Sequence, residues 1–208
     1  MPFKYYLTTN FDRLLYTSAL RSGKNPRIRV HPDLDRAHTV EGSIHYLHGF
    51  IVENKKPVEN QIVLSRNEFM KAYENNGNLK TFLIPTFKNE SILFIGCELR
   101  EPQMKEIFGI CKLQQDMQQQ LMSLMEAKLI ENPTNYILRS KLPNSTGIGL
   151  SEEQIKQKMQ TEDEYYESFG IKTIWYENPG ENHIELWKTL DRIAGIQEPS
   201  PYQQLRRD

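Results

Sequence analysis

The residues able to do chemistry gather where three apolar runs stop. Thr8-Thr9-Asn10-Phe11-Asp12 follows the aromatic and β-branched run Phe3–Thr8. Tyr46-Leu47-His48-Gly49 ends a second run, and Gly96-Cys97-Glu98-Leu99-Arg100-Glu101-Pro102 follows the third, SILFI at Ser91–Ile95. In open α/β sheets ligands bind beyond the C-terminal ends of strands, so these polar ends are candidate binding sites. The imidazole of His48 titrates near neutral pH and is suited to proton transfer. Each stretch also has a plainer use. Thr9 or Asn10 serves as a helix N-cap, with Asp12 favouring the positive end of the helix dipole. A lone histidine at a strand end is commonly structural, and a glycine after a buried strand makes a tight turn.

The elements that would position these residues alternate in type. After the strand Phe3–Thr8, apolar Phe11, Leu14, Leu15 and Ala19 predict a helix that stops at Ser22-Gly23. Arg27–Val30, Ser43–Leu47 and Gln61–Leu64 read as short strands. Ser65 and Glu68 form a capping box ahead of Phe69, Met70 and Tyr73, so a helix starts there. SILFI is too short for a helix and reads as a strand buried on both faces. Pro102 opens a helix that runs to about Ile130, with Met104, Ile107, Cys111, Met117, Leu121, Leu124 and Met125 as its apolar positions. The Gln-rich stretch Gln114–Gln120 leaves room there for a break or a partner-facing surface. Tyr136–Leu138 is a brief strand, Pro143–Gly149 a loop, and Ser151/Gln154 and Thr161/Glu164 are two more capping boxes. Strand Ile171–Tyr176 precedes a helix capped by Asn182, with Ile184, Leu186, Trp187, Leu190 and Ile193 inward. This alternation predicts an α/β fold, a Rossmann-like and mainly parallel sheet flanked by helices. One domain spans residues 1–197, and a Pro-rich polar tail covers 198–208.

Composition narrows the class. The chain has 208 residues, 38% hydrophobic and 25% charged, enough to bury a substantial core. Its 26 basic and 27 acidic residues leave a formal charge of −1, with no surplus for nucleic acid or anionic lipid. Two cysteines cannot build a disulfide framework, and no run approaches the roughly 20 apolar residues of a membrane span. A soluble cytoplasmic protein is expected.

Rival chemistries find little support. His45 and His48 are three apart in a strand context, which sends them to opposite faces, so no metal site is expected. Cys97 has no nucleophile motif and reads as a small buried hydrophobe. His183 reads as a surface or cap residue, Arg66 and Arg100 as solvated, and Trp175 and Trp187 as packing residues.

The order of the motifs says more than any one of them. TTNFDRLL at Thr8–Leu15, YLHG at Tyr46–Gly49, VLSRNEFMKAY at Val63–Tyr73 and ILFIGCELREP at Ile92–Pro102 stand in sequence. YYESFGIKTIWYE and HIELWKTL follow. Together they resemble the sirtuin-like (silent-information-regulator-like) family, and in particular its bacterial branch of NAD-consuming antiphage-defence domains. The resemblance implies that NAD is the substrate and that the nicotinamide–ribose bond is cleaved. It gives Asn10 the task of positioning the ribose hydroxyls or the attacking water, and His48 that of the base. Asp12 would accept from the nicotinamide carboxamide, and Gly96 would let the backbone approach the nucleotide. Thr8, Thr9, Cys97 and Glu98 would complete the cofactor-binding set. The four cysteines of the deacetylase zinc module are absent, so no zinc is implied.

Two departures fall on the phosphate side. The family's glycine-rich phosphate loop lies on a first βα unit upstream of the TTN strand, and here that strand starts at residue 3, so the unit is expected to be missing. No G-x-G-x-x-G occurs in the chain. Glu98 also replaces a small hydroxyl residue, placing a carboxylate where a diphosphate would lie. The expectation is an NAD hydrolase whose phosphate-binding half is supplied by a second copy or a partner protein that completes the sheet. The alternative is a non-catalytic interaction or nucleotide-binding module on the same fold.

Overall fold

The computed structural model describes residues 3–35, 40–51, 62–74, 77–125, 132–141, 151–178 and 184–195. The chain divides into two compact units, Met1–Lys88 and Asn89–Asp208. Each contains a three-stranded, wholly parallel sheet and three helices. The parallel α/β character follows the alternation in the sequence.

The first unit runs β1 (Tyr5–Thr8), α1 (Leu14–Arg21), β2 (Ile28–Val30), β3 (Ser43–Tyr46), α2 (Arg66–Tyr73) and α3 (Asn78–Asn89). Its strand order is β1-β3-β2, so the last strand in sequence is the central one. Thr8 and Val30 both lie opposite Tyr46, which brings all three strand ends to one edge of the sheet. Every residue of β3 is buried. Its two polar members answer each other, the Ser43 hydroxyl lying 2.9 Å from His45 Nε2. The His45 ring is stacked on Phe82 and meets Tyr5 edge-on. Helix α1 starts three residues later than its apolar spacing predicts. The Asp12 carboxylate accepts the Leu14 N–H at 2.8 Å, holding residues 11–13 in a turn. Arg13 is therefore the N-cap, in place of Thr9 or Asn10. Ile62–Leu64 is not a strand; Val63 instead donates its N–H to the His48 carbonyl, and Gln61 lies outside the described residues.

The Ser65–Glu68 capping box is present in both directions, with bonds of 3.3 and 2.7 Å. Helix α3, absent from the expected elements, carries Pro85 in its interior. Burial of Leu79, Phe82, Leu83, Thr86 and Phe87 along one face outweighs the hydrogen bond that proline cannot donate.

The second unit runs β4 (Leu93–Ile95), α4 (Pro102–Leu124), β5 (Asn135–Ser140), α5 (Glu152–Glu167), β6 (Ile171–Tyr176) and α6 (Ile184–Ile193), with sheet order β4-β5-β6. The expectation that β4 is buried on both faces is corrected. Ile95 is 44% exposed, because β4 pairs only with β5 among the described residues. Helix α4 is unbroken through its glutamines. Only Ile107, Phe108 and Cys111 are fully buried, while Met117, Leu121, Leu124 and Met125 are exposed rather than inward. The Ser151–Gln154 capping box is formed, but Thr161 and Glu164 lie inside α5, and the Thr161 hydroxyl donates to the Gln157 carbonyl instead. On α6, Trp187 and Ile193 are exposed rather than packed inward. Asn182, His183, Pro143–Gly149 and the 198–208 tail lie outside the described residues.

One turn of α5 organises this second unit. Glu162 pairs with Arg139 of β5 at 2.9 Å, and Asp163 accepts the Trp175 indole N–H from β6 at 2.9 Å. Tyr165 and Tyr166 donate to the carbonyls of Leu99 and Glu98, both at 3.1 Å.

Candidate functional site

The first unit gathers five of the predicted site residues at one end of its sheet. The chain leaves β1 at Thr8, whose hydroxyl accepts the Asn10 N–H at 3.1 Å. Two backbone bonds then join this segment to the one that leaves β3. Leu47 donates to the Thr8 carbonyl at 2.8 Å, and Ile51 donates to the Phe11 carbonyl at 3.0 Å. Thr8, Thr9, Asn10 and Asp12 thereby share a sheet end with His48. Thr9, Asn10 and Asp12 are exposed, and one Asp12 oxygen is engaged by the Leu14 N–H. Gly49 has φ 103°, a conformation that admits the sharp turn after His48 and favours glycine.

His48 is half-buried. Its Nε2 lies 2.9 Å from the Tyr73 hydroxyl, and its ring meets Phe69 and Tyr73 edge-on. Burial, with a smaller contribution from nearby His31, holds its pKa down at about 4. The imidazole is therefore neutral at pH 7 and able to accept a proton. His45, within β3 and 0% exposed, is likewise held at about 4, by burial and by Arg29. Being buried beneath the sheet surface, it is structural.

His31 escaped the sequence reading. It follows β2 directly, its N–H donates to the Tyr46 carbonyl at 2.9 Å, and only 7% of its surface is exposed. Its Nδ1 is buried without a hydrogen-bond partner among the described residues. Burial lowers its pKa as well. It lines a cleft of about 290 Å³ with Val63, Glu68, Lys71, Gly77 and Asn78. The available signal was a histidine-proline pair placed one residue past a β-branched run.

The second unit carries Gly96, Cys97 and Glu98 in the segment after β4. Gly96 has φ 68°, and a Cβ there would meet nothing within 4 Å, so the turn rather than crowding calls for glycine. Leu99 also has a positive φ, 52°, and is held there by the two tyrosine bonds to its own carbonyl and that of Glu98. The Glu98 carboxylate, 61% exposed, pairs with Arg100 at 3.3 Å. Burial and Glu101 push the Cys97 thiol up to about 11, so it is protonated and not a nucleophile at neutral pH. Among the described residues no group of three or more His, Cys, Asp or Glu side chains could hold a metal ion. No helix among them is long and apolar enough to cross a membrane.

In each unit parallel strands run into polar, glycine-containing turns, which defines an α/β class of protein. Within that class, the profile of the SIR2-like domain matches residues 4–162, and the chain belongs to that family. It is also 29% identical over 111 residues to "NAD(+) hydrolase ThsA" of Cytobacillus dafuensis, a match covering 52% of this chain and 22% of that protein. The matched stretch thus spans about a fifth of the relative's length.

Proposed function

We propose that this chain is an NAD glycohydrolase-type domain, which cleaves the nicotinamide–ribose bond to release nicotinamide and ADP-ribose, and that it depletes NAD in a bacterial antiphage defence. The observation that best supports this reading is the pair of backbone bonds, Leu47 to Thr8 and Ile51 to Phe11, that brings Asn10 and His48 to one sheet end. Membership of the SIR2-like family and the likeness to a protein named as an NAD(+) hydrolase support the choice of substrate.

Cleavage of this bond develops oxocarbenium character at the ribose, as glycoside cleavage does. Nicotinamide leaves with the bonding electron pair, a water oxygen adds to the sugar carbon, and the water's proton needs an acceptor. Neutral His48 takes that proton. Its low basicity is tolerable because so electrophilic a centre asks little activation of the water. The exposed Asn10 amide offers a donor and an acceptor to the ribose hydroxyls or the water. The Asp12 oxygen not bonded to Leu14 accepts from the nicotinamide carboxamide. Thr8 acts through Asn10, whose N–H its hydroxyl holds. Thr9, exposed beside Asn10, offers its hydroxyl to the nucleotide; in the second unit the Glu98 carboxylate is turned onto Arg100. Strand β1, which pairs only with β3 among the described residues, is the edge that a second copy or a partner protein would extend.

A second reading, a non-catalytic nucleotide-binding or interaction module, is favoured by two features. Glu98 is an exposed carboxylate in the segment after β4, and the sequence contains no G-x-G-x-x-G. Nicotinamide release from NAD by the purified chain, beside Asn10→Ala and His48→Ala, separates the two. Release abolished in both variants supports the hydrolase. NAD binding without release from the unaltered chain favours the module.

A further inference from the structure

Tyr73 closes helix α2 with only 3% of its surface exposed. Its ring is stacked on Phe69, with centroids 4.6 Å apart, and these two aromatics meet His48 edge-on at 6.0 and 5.3 Å. The Ser65–Glu68 box ties down the other end of the same eight-residue helix. The imidazole is therefore gripped at Nε2 by an oxygen that is itself rigidly placed.

A neutral imidazole carries one N–H and one lone pair, and the partner of one nitrogen decides the state of the other. Were the tyrosine to donate, Nε2 would spend its lone pair on Tyr73 and Nδ1 would carry hydrogen. No nitrogen would then remain to accept a proton. The opposite arrangement leaves Nδ1 open. The 2.9 Å separation is an ordinary N–H···O length, and only the arrangement in which Nε2 donates leaves the ring a lone pair for the base role.

We propose that Tyr73 is the positioning residue of this site: its oxygen accepts the Nε2 proton of His48, fixes the Nε2–H tautomer and leaves the Nδ1 lone pair as the proton acceptor. The inference rests on the hydrolase reading of His48 and deepens it. Tyr73 touches no reacting atom and acts through the ring it holds.

Long-range ¹H–¹⁵N correlation spectra of the labelled chain at pH 7, without NAD, read the tautomer directly. The His48 ring signals are assigned by their loss in His48→Gln. The expected spectrum shows a protonated Nε2 and a bare Nδ1; a protonated Nδ1 overturns the proposal whatever the activity. In Tyr73→Phe the ring is expected to become a mixture of tautomers. Its kcat for nicotinamide release is expected to fall about tenfold with KM within about twofold, a fraction of what a general base contributes. A Tyr73→Phe chain that keeps a single tautomer and full kcat overturns it too. Should that variant fail to fold, the spectrum of the unaltered chain still decides. Because that spectrum is taken without NAD, an Nε2–H ring in a chain that releases no nicotinamide upholds the Tyr73 contact and sinks the hydrolase reading alone.

Discussion

Tyr166, on α5, donates its hydroxyl to the backbone carbonyl of Glu98, 68 residues earlier in the chain, at 3.1 Å. With the adjacent bond from Tyr165 to Leu99, it fixes the segment after β4 from outside that segment. Tyr166→Phe leaves a carbonyl without its donor and is expected to cost about 1 kcal/mol. Urea unfolding reads the loss. Hydrogen exchange is expected to quicken at residues 96–101 before it changes in β5 or β6.

Leu99 sets two effects against each other. Its positive φ costs an L-residue roughly 1–2 kcal/mol, which Leu99→Gly would relieve. The side chain is also 7% exposed, and burying a leucine contributes about 1.5–3 kcal/mol, with a cavity term added when it is removed. Burial is expected to win. Leu99→Gly should lower the urea midpoint, and a rise would show the strain to be the larger quantity.

Acid should destabilise the first unit through its histidines. Folded His45 and His48 titrate at about 4, against 6.5 for the unfolded side chain, so between those values the unfolded chain binds more protons. Stability is therefore complete above about pH 6.5 and is lost as pH falls towards 4. The loss is expected to be larger for the fully buried His45 than for half-buried His48, whose charge water partly screens. The Ser43 hydroxyl donates to the Val40 carbonyl and so receives the His45 Nε2 proton, which leaves the buried Nδ1 with nothing to donate to once protonated. Unfolding free energies measured from pH 4 to 7 should flatten by about one proton in His45→Phe. An unchanged slope would exclude His45 as a contributor.

The two complete capping boxes make a matched pair. Ser65→Ala and Ser151→Ala should each cost about 1 kcal/mol. Only Ser65→Ala loosens the helix that carries Tyr73, so it alone is expected to broaden the His48 ring signals. Equal effects on His48 would sever the link between the cap and the site.

Cys97 should react slowly with iodoacetamide at pH 7.5, since its thiol is held near 11, and the rate should still be climbing at pH 10. Fast labelling that levels off near pH 8 would contradict the burial that raises it.

Local signals were legible in the sequence where the residue itself is the cause. Ser65 with Glu68, Ser151 with Gln154, and Pro102 at the first turn of α4 all hold as read. The clustering of Thr8, Asn10 and His48 also followed from strand ends in parallel register. Hidden features depend on partners distant in sequence. Helix α3 goes unassigned in the sequence, and its interior Pro85 is tolerated because its apolar face is buried. Thr161 and Glu164 have the spacing of a cap, yet the helix had already started ten residues earlier at Ser151. His31 lines its cleft with Val63 and Asn78, both far along the chain, and the exposure of Met117 and Leu121 cannot be read from helical spacing alone.

The order β1-β3-β2 has a consequence during synthesis. As the chain emerges from its N-terminus, β1 and β2 are complete by Val30 but have no strand bond to each other. Both must wait for Ser43–Tyr46, which supplies every ladder bond of that sheet at once. At roughly 5–20 residues per second β2 stays unpaired for about one to three seconds and β1 for longer, even before the exit tunnel releases the segment. In the second unit β4 and β5 can pair before β6 exists. A nascent-chain arrest series should therefore show protease resistance appearing in a single step for the first sheet and in two for the second.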